Sequence, residues 1–266
     1  MLPQTAGDAL IREESLMTIL PAIARARRGL LLAALLTLLA PAVASAQIRQ
    51  VSSSASDGNQ TLNFSLGYFA LKGLDSRASD DVLLNELQSS QPLLFEVKDF
   101  NFATFGGEYL IGFGPFEGGV GLGFYQRTVP SVYAHLQHSD NSEIAQDLKL
   151  RTIPVSFTAR FLPLGRGRSV EPYVGAGLTA IAWRYSEIGE FVDFDRTIFP
   201  ARYIAKGTAT GPTVLGGVRG VVGNWVVGGE VRWQKAEATG LLKDGFLGDK
   251  LDLGGWTTNF TFGVRF

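Results

Sequence analysis

The sequence contains no cysteine, only two histidines and two methionines, and no biased or low-complexity tract that could serve as a linker. The missing cysteines exclude disulfides, thiolate metal sites and attachment of a lipid through a processed N-terminal cysteine. Nor does any stretch after residue 46 hold some 18 consecutive apolar residues, which excludes a helical membrane protein. Charge of either sign is likewise not in excess. With 24 Lys and Arg against 25 Asp and Glu, the chain has no electrostatic footprint for nucleic acid.

What is abundant is glycine, 32 of 266 residues, together with a hydrophobic fraction of 45%. High apolar content without long apolar runs is reconciled if apolar residues occupy every second position. A barrel strand crosses a bilayer with about 9 to 11 such residues.

Near the start, Arg25, Arg27 and Arg28 precede the apolar run from Gly29 to Ala40, then Pro41 and small residues ending at Ala44-Ser45-Ala46. This is the order of a secretory signal peptide, predicted to span 1–46 with cleavage after Ala46. Met17 is an alternative start. Residues 47–60 are expected to form a periplasmic segment, and 61–266 the mature domain. Export is expected through the general secretory route, because a barrel crosses the inner membrane unfolded.

Period-two alternation is clearest at the end, where Phe260, Phe262, Val264 and Phe266 share one face and Thr261, Gly263 and Arg265 the other. Trp225, Val227, Val231 and Trp233 likewise oppose Gly228, Glu230, Arg232 and Gln234. Ile153, Val155, Phe157, Ala159 and Phe161 alternate with Thr152, Pro154, Ser156, Thr158 and Arg160, and Phe116, Val120, Leu122 and Phe124 with Glu117, Gly119, Gly121, Gly123, Tyr125 and Arg127. Strands are also predicted near 61–72, with Leu62, Phe64, Leu66 and Tyr68 outward, and near 101–112, with Phe105, Tyr109 and Ile111 opposite Thr104 and Glu108. Two more, near 170–184 and 209–222, are too glycine-rich for their facing to be read.

Connections alternate in length: long segments near 73–100, 128–148, 185–208 and 237–254, and short turns at 112–115, 163–169 and 223–224. The predicted fold is therefore all-β: an eight-stranded antiparallel up-and-down transmembrane β-barrel, with short turns on the periplasmic side. A soluble lipocalin-like barrel is the competitor, but its apolar face points inward. Here the apolar face carries Phe, Trp and Tyr, which suits lipid.

The run Pro172-Tyr173-Val174-Gly175-Ala176-Gly177 resembles a segment of small outer-membrane barrels of the opacity-protein and OmpW-like superfamily. Phe266, reached through alternating aromatics, resembles the signal read by the barrel-assembly machinery. The resemblance covers about 61–266 and implies an eight-stranded barrel in the outer membrane, with lipid, lipopolysaccharide, the assembly machinery and periplasmic chaperones as partners. It also implies, for OmpW-like members, passage of small hydrophobic molecules. The predicted interior departs from an apolar conduit, because it carries Glu108, Glu117, Arg160, Glu230, Arg232 and Arg265. Buried charges need partners, so these six are expected to form a packed ion-pair network, with a gated narrow pore as the alternative.

His135 and His138 lie three residues apart in the second long segment, but a loop is a poor scaffold for zinc, and no metal or cofactor is predicted. His138-Ser139-Asp140 holds the residue types of a hydrolase triad without room for its geometry, so no catalytic residue is assigned. The long segments are acidic, as with Asp75, Asp80, Asp81, Glu86, Glu96 and Asp99, and are expected to be solvated near lipopolysaccharide, where divalent cations could bridge them. Trp183 and Tyr185 are expected at the membrane interface, and Phe191, Phe194, Phe199 and Tyr203 to cover the barrel mouth or to bind a partner. Function is read as an envelope-structural role or limited solute passage; the alternatives are surface adhesion through the long segments and, last, a lipid-modifying enzyme. Oligomeric state is not legible.

Overall fold

A computed structural model describes residues 58–193 and 195–266. The predicted signal peptide at 1–46, most of the predicted periplasmic segment at 47–60, and Phe194 lie outside the described residues.

Eight antiparallel strands close into a ring: β1 (Gln60–Leu71), β2 (Phe102–Phe113), β3 (Phe116–Gln137), β4 (Glu143–Phe161), β5 (Val170–Val192), β6 (Ile198–Val222), β7 (Trp225–Gln234) and β10 (Gly255–Arg265). Strand β1 pairs with β10 to shut the seam, in register from Thr61–Arg265 to Leu71–Gly255. The seam continues into Phe266, whose backbone exchanges hydrogen bonds with Gln60 at 2.9 and 3.1 Å. Two of the turns on this side have only two residues, at Gly114-Pro115 and Gly223-Asn224, and both use glycine at positive φ (60° and 61°), a conformation costly for other residues.

The lower outer surface is apolar on every strand. Phe64, Leu66, Phe105, Phe116, Val120, Leu122, Phe157, Val174, Leu178, Val214, Val218, Val227, Phe260 and Phe262 are all exposed. A continuous belt of this kind cannot face water in a monomeric protein; it is a lipid-facing surface. Trp225 and Phe262 stack within it at 5.1 Å.

Two expected long loops are absent. Strands β3 and β4 run on as a hairpin to a turn at 138–142, and β5 and β6 to one at 193–197. Above the belt these strands swap the meaning of their faces. In β4, Phe157, Val155 and Ile153 point outward, but the same outward row continues as Arg151, Lys149 and Asp147, while the inward row changes from Arg160, Thr158 and Ser156 to buried Leu150, Leu148 and Ile144. Where lipid ends, water wets the outside, so the apolar face turns in.

The other two long segments fold over this upper lumen. The first carries α1 (Val82–Gln88), whose N-cap Asp81 accepts a hydrogen bond from the Leu83 amide at 3.0 Å. The second carries β8 (Glu237–Thr239) paired with β9 (Lys250–Asp252). Val82, Leu83, Phe100, Leu241, Phe246 and Leu251 pack on Phe69, Val129, Leu148, Leu150, Ile181, Trp183 and Tyr185 to make a buried apolar core. Trp183 and Tyr185 are thus inside the barrel, not at the membrane interface, because β5 turns its odd-numbered residues inward. Asp81 and Asp252 are not solvated either: Arg77 donates to both Asp81 carboxylate oxygens at 2.8 Å, and the Asp252 amide donates to Asp81 at 2.7 Å. Glu86 is likewise buried.

Candidate functional site

The lumen below that core is where the chain concentrates charge. Strand alternation carries Glu108 from β2, Arg160 from β4, and Glu230 and Arg232 from β7 inward to one level. Arg160 is the hub: it donates to Glu108, and to Glu230 at 2.8 Å, while only 1% of its surface is exposed. Arg232 pairs with Glu230 at 2.9 Å and bonds the Ser156 hydroxyl at 3.2 Å. Thr158 donates to Glu108 at 2.9 Å.

A second layer lies toward the short turns. Arg219 of β6 grips Glu117 of β3 through two bonds of 2.5 and 2.8 Å, and donates to Glu171 of β5 at 2.8 Å. Arg265 of β10 takes the same Glu171 bidentately at 2.7 and 3.0 Å. Arg166, from the turn after β4, approaches Glu117 at 3.2 Å. Tyr173 sits between the layers; its ring lies 4.7 Å from the Arg160 guanidinium and 5.6 Å from that of Arg219, and its hydroxyl donates to Glu230 at 3.2 Å.

All six charges expected in the interior point inward and divide between the two layers. Sequence reasoning missed Glu171, Arg219 and Arg166. The first two lie on the strands whose facing could not be read, and the third lies in a turn. The signal was there in Tyr173, an inward neighbour of Glu171 at a spacing of two. Some of the strand glycines make room for these side chains. A Cβ on Gly119 would meet the Glu108 carboxylate at 2.9 Å and the Thr158 hydroxyl at 2.8 Å. One on Gly175 would crowd Arg160 at 3.1 Å, so glycine on one strand makes room for Arg on the next. Pro172, by contrast, faces outward beside Val174.

Above the upper layer, a polar cavity of about 80 Å³ is bounded by Asn63, Ser65, Thr104, Ser156, Thr179, Arg232 and Asn259. Its lining suits water rather than an apolar solute. The apolar core then closes the top.

Outside the lumen, His138 bonds Glu190 at 2.8 Å, joining the tips of the two long hairpins, and Asp140 accepts from the Ser142 hydroxyl at 2.7 Å. His138 and Asp140 are thus each engaged with partners outside a triad. Among the described residues, no three His, Asp or Glu side chains come together as a metal site. Phe191 packs on Phe199 and Tyr203, and Tyr203 on Phe246, so this aromatic group knits a hairpin to the cap.

No family model and no curated protein matches the chain. Among solved structures it is similar to the outer membrane protein OprG from Pseudomonas aeruginosa (12% identity, 79% of this chain and 96% of that one, TM-score 0.41). It is also similar to Ail, the attachment invasion locus protein of Yersinia pestis (13%, 79% and 100%, TM-score 0.38). A third is the E. coli outer membrane protein W (15%, 79% and 98%, TM-score 0.34). The chain's own closed eight-stranded ring and lipid-facing belt mark it as a small barrel of the outer-membrane type.

Proposed function

We propose that this barrel is a closed structural element of the outer membrane, sealed along its lumen rather than conducting. The observation that carries the reading is the stacking of three barriers on one axis: the Glu117–Glu171–Arg219–Arg265 layer, the Glu108–Arg160–Glu230–Arg232 layer, and the apolar core over them. Breaking one member out of such a buried network leaves its partners uncompensated, so thermal opening of a path is rare. A conduit for hydrophobic molecules fits poorly, since charged side chains cross the bore twice.

Planar bilayers test this. The wild-type chain is expected to give no conductance steps, and stable steps altered by Glu230→Gln or Arg160→Gln would overturn the sealed reading.

A second reading, surface recognition, is favoured by one feature: the hairpin β5–β6 stays paired without a break up to Val192–Ile198, and β3–β4, interrupted by a bulge between Val132 and Gln137, rises beside it, so the two stand as a platform above the belt. Shortening β5–β6 at its tip is expected to leave the heat-dependent gel mobility of the barrel intact. Adherence of cells displaying the shortened barrel would then fall if the platform is the contact surface.

A further inference from the structure

On the outer face, at the level where the apolar belt stops, strand register sets Arg151 of β4, Arg184 of β5 and Lys206 of β6 directly opposite one another. All three point away from the lumen, because their chain neighbours Leu150, Tyr185 and Ala205 are buried inward. Below the row come Ile153, Ala182 and Thr208, then Val155, Ala180 and Thr210, which lead down to Phe157 and Leu178 of the belt. Above it comes Lys149, and the first acid on this face of β4 is Asp147, four residues or about 13 Å along the strand from Arg151. None of the three cations forms an ion pair among the described residues.

That arrangement is unlike the treatment of charge in the lumen. There each Arg is matched by a carboxylate; here three cations are aligned across strands about 4.8 Å apart, within about 10 Å in all. Like charges directly opposite on neighbouring strands work against pairing. Yet β4, β5 and β6 stay paired without a break through these positions. The missing counter-charge has to come from outside the chain. The row lies just above the hydrocarbon on the side of the long hairpins, opposite the short turns. Anything that fills it is anionic and sits at headgroup depth, and guanidinium groups favour phosphate oxygens through paired hydrogen bonds.

We propose that Arg151, Arg184 and Lys206 form a binding site for the phosphate groups of a phosphorylated glycolipid of the outer leaflet, of the lipopolysaccharide class. The site rests on the membrane orientation given above, and it deepens the structural role: the sealed barrel is an anchoring point for its leaflet. It is separate from the expected cation-bridged contact through the acidic segments, of whose carboxylates Asp81 and Glu86 are buried.

The test uses the full mature barrel in phosphatidylcholine vesicles, alone or with bisphosphorylated lipid A, with dephosphorylated lipid A, or with inorganic phosphate. Its readout is the temperature at which the heat-dependent gel shift is lost. Bisphosphorylated lipid A is expected to raise that temperature on the order of 5 °C, a ligand effect of ordinary size for a domain of this length. Dephosphorylated lipid A should give no rise, and the triple variant Arg151→Gln/Arg184→Gln/Lys206→Gln should lose the rise while keeping the gel shift. An equal rise in the triple variant, or with dephosphorylated lipid A, overturns the site; an equal rise with inorganic phosphate overturns the lipid as its ligand. Should the triple variant fail to fold, Arg184→Gln and Arg184→Lys decide: the first should weaken the rise and the second preserve most of it. A wild-type chain without any gel shift would refute the barrel reading instead, a failure distinct from loss of the lipid effect.

Discussion

The cap over the upper lumen should loosen as pH rises, and Glu86 sets by how much. This residue projects from α1 into the apolar core, where it faces Glu187 and Tyr185 of β5 and Tyr133 of β3. Burial pushes its carboxyl up to about 7 from an ordinary 4.5. With the cap open, the same group is solvated and ionises near its ordinary value. Between those two limits the closed cap therefore holds a proton that the open one does not. Stability conferred by the protonated form is complete below the open-state value and is lost progressively as pH climbs to the closed-state value, then levels off. The loss amounts to roughly 3 kcal/mol, on the order of a hundredfold in the opening equilibrium. Hydrogen exchange of the α1 amides at pH 5 and pH 8, corrected for the intrinsic rate, measures it directly. Glu86→Gln should remove the part of the dependence that Glu86 sets, and adding Glu187→Gln should remove what is left, since burial and the neighbouring Glu86 hold the Glu187 carboxyl well above its ordinary range. An unchanged pH dependence in Glu86→Gln, or protection that grows with pH in the wild type, would refute the argument.

Other outcomes follow from the lumen and the belt. Arg219→Met leaves Glu117 and Glu171 buried without their shared partner and should cost about 3 to 5 kcal/mol in urea unfolding of the refolded barrel, with Glu117→Gln recovering part of it. Gly217→Ala should destabilise by about 1 to 3 kcal/mol by the same assay, since its Cβ would stand 2.5 Å from the Gly229 carbonyl oxygen and 2.6 Å from the Tyr173 hydroxyl. Because the chain lacks cysteine, single substitutions report facing cleanly. Val214→Cys should react with a lipid-soluble maleimide and not a charged one, whereas Leu215→Cys, its inward neighbour, should react with neither until the barrel is unfolded.

The lower barrel was legible because lipid and a polar lumen impose opposite demands on successive residues, so Phe260 and Thr261, or Phe157 and Thr158, announce their sides. The upper barrel was not, and for a physical reason. Ile144, Leu148 and Leu150 keep step with Thr152 and Arg160, but the rule that apolar means outward holds only inside the bilayer. Read with that rule, 128–148 and 185–208 became loops, although β3, β4, β5 and β6 run through them. The same error placed Trp183 and Tyr185 at an interface they do not touch. In the site, Glu108 and Arg160 were found because their strands alternate cleanly. Glu171 and Arg219 were hidden by Gly175, Gly177, Gly216 and Gly217, whose missing side chains remove the contrast that reveals facing, although two of them are glycine to accommodate neighbouring side chains: Gly175 beside Arg160 and Gly217 beside Tyr173.

The swap of faces between Arg151 and Ile153 has a mechanical meaning. One strand bears an apolar stripe outside and, further along, another inside, so the barrel has a fixed waterline. Sinking by one residue pair carries Arg151 and Arg184 into the edge of the hydrocarbon, where each cation costs up to about 1 kcal/mol, a cost that rises steeply with further depth. Rising by the same step strands Ile153 and Ala182 in water. Neither displacement can be relieved by rotation, because the ring presents the same band on every strand. A membrane that thickens or thins around this protein must therefore deform to meet it, since the barrel has no freedom to adjust its own depth.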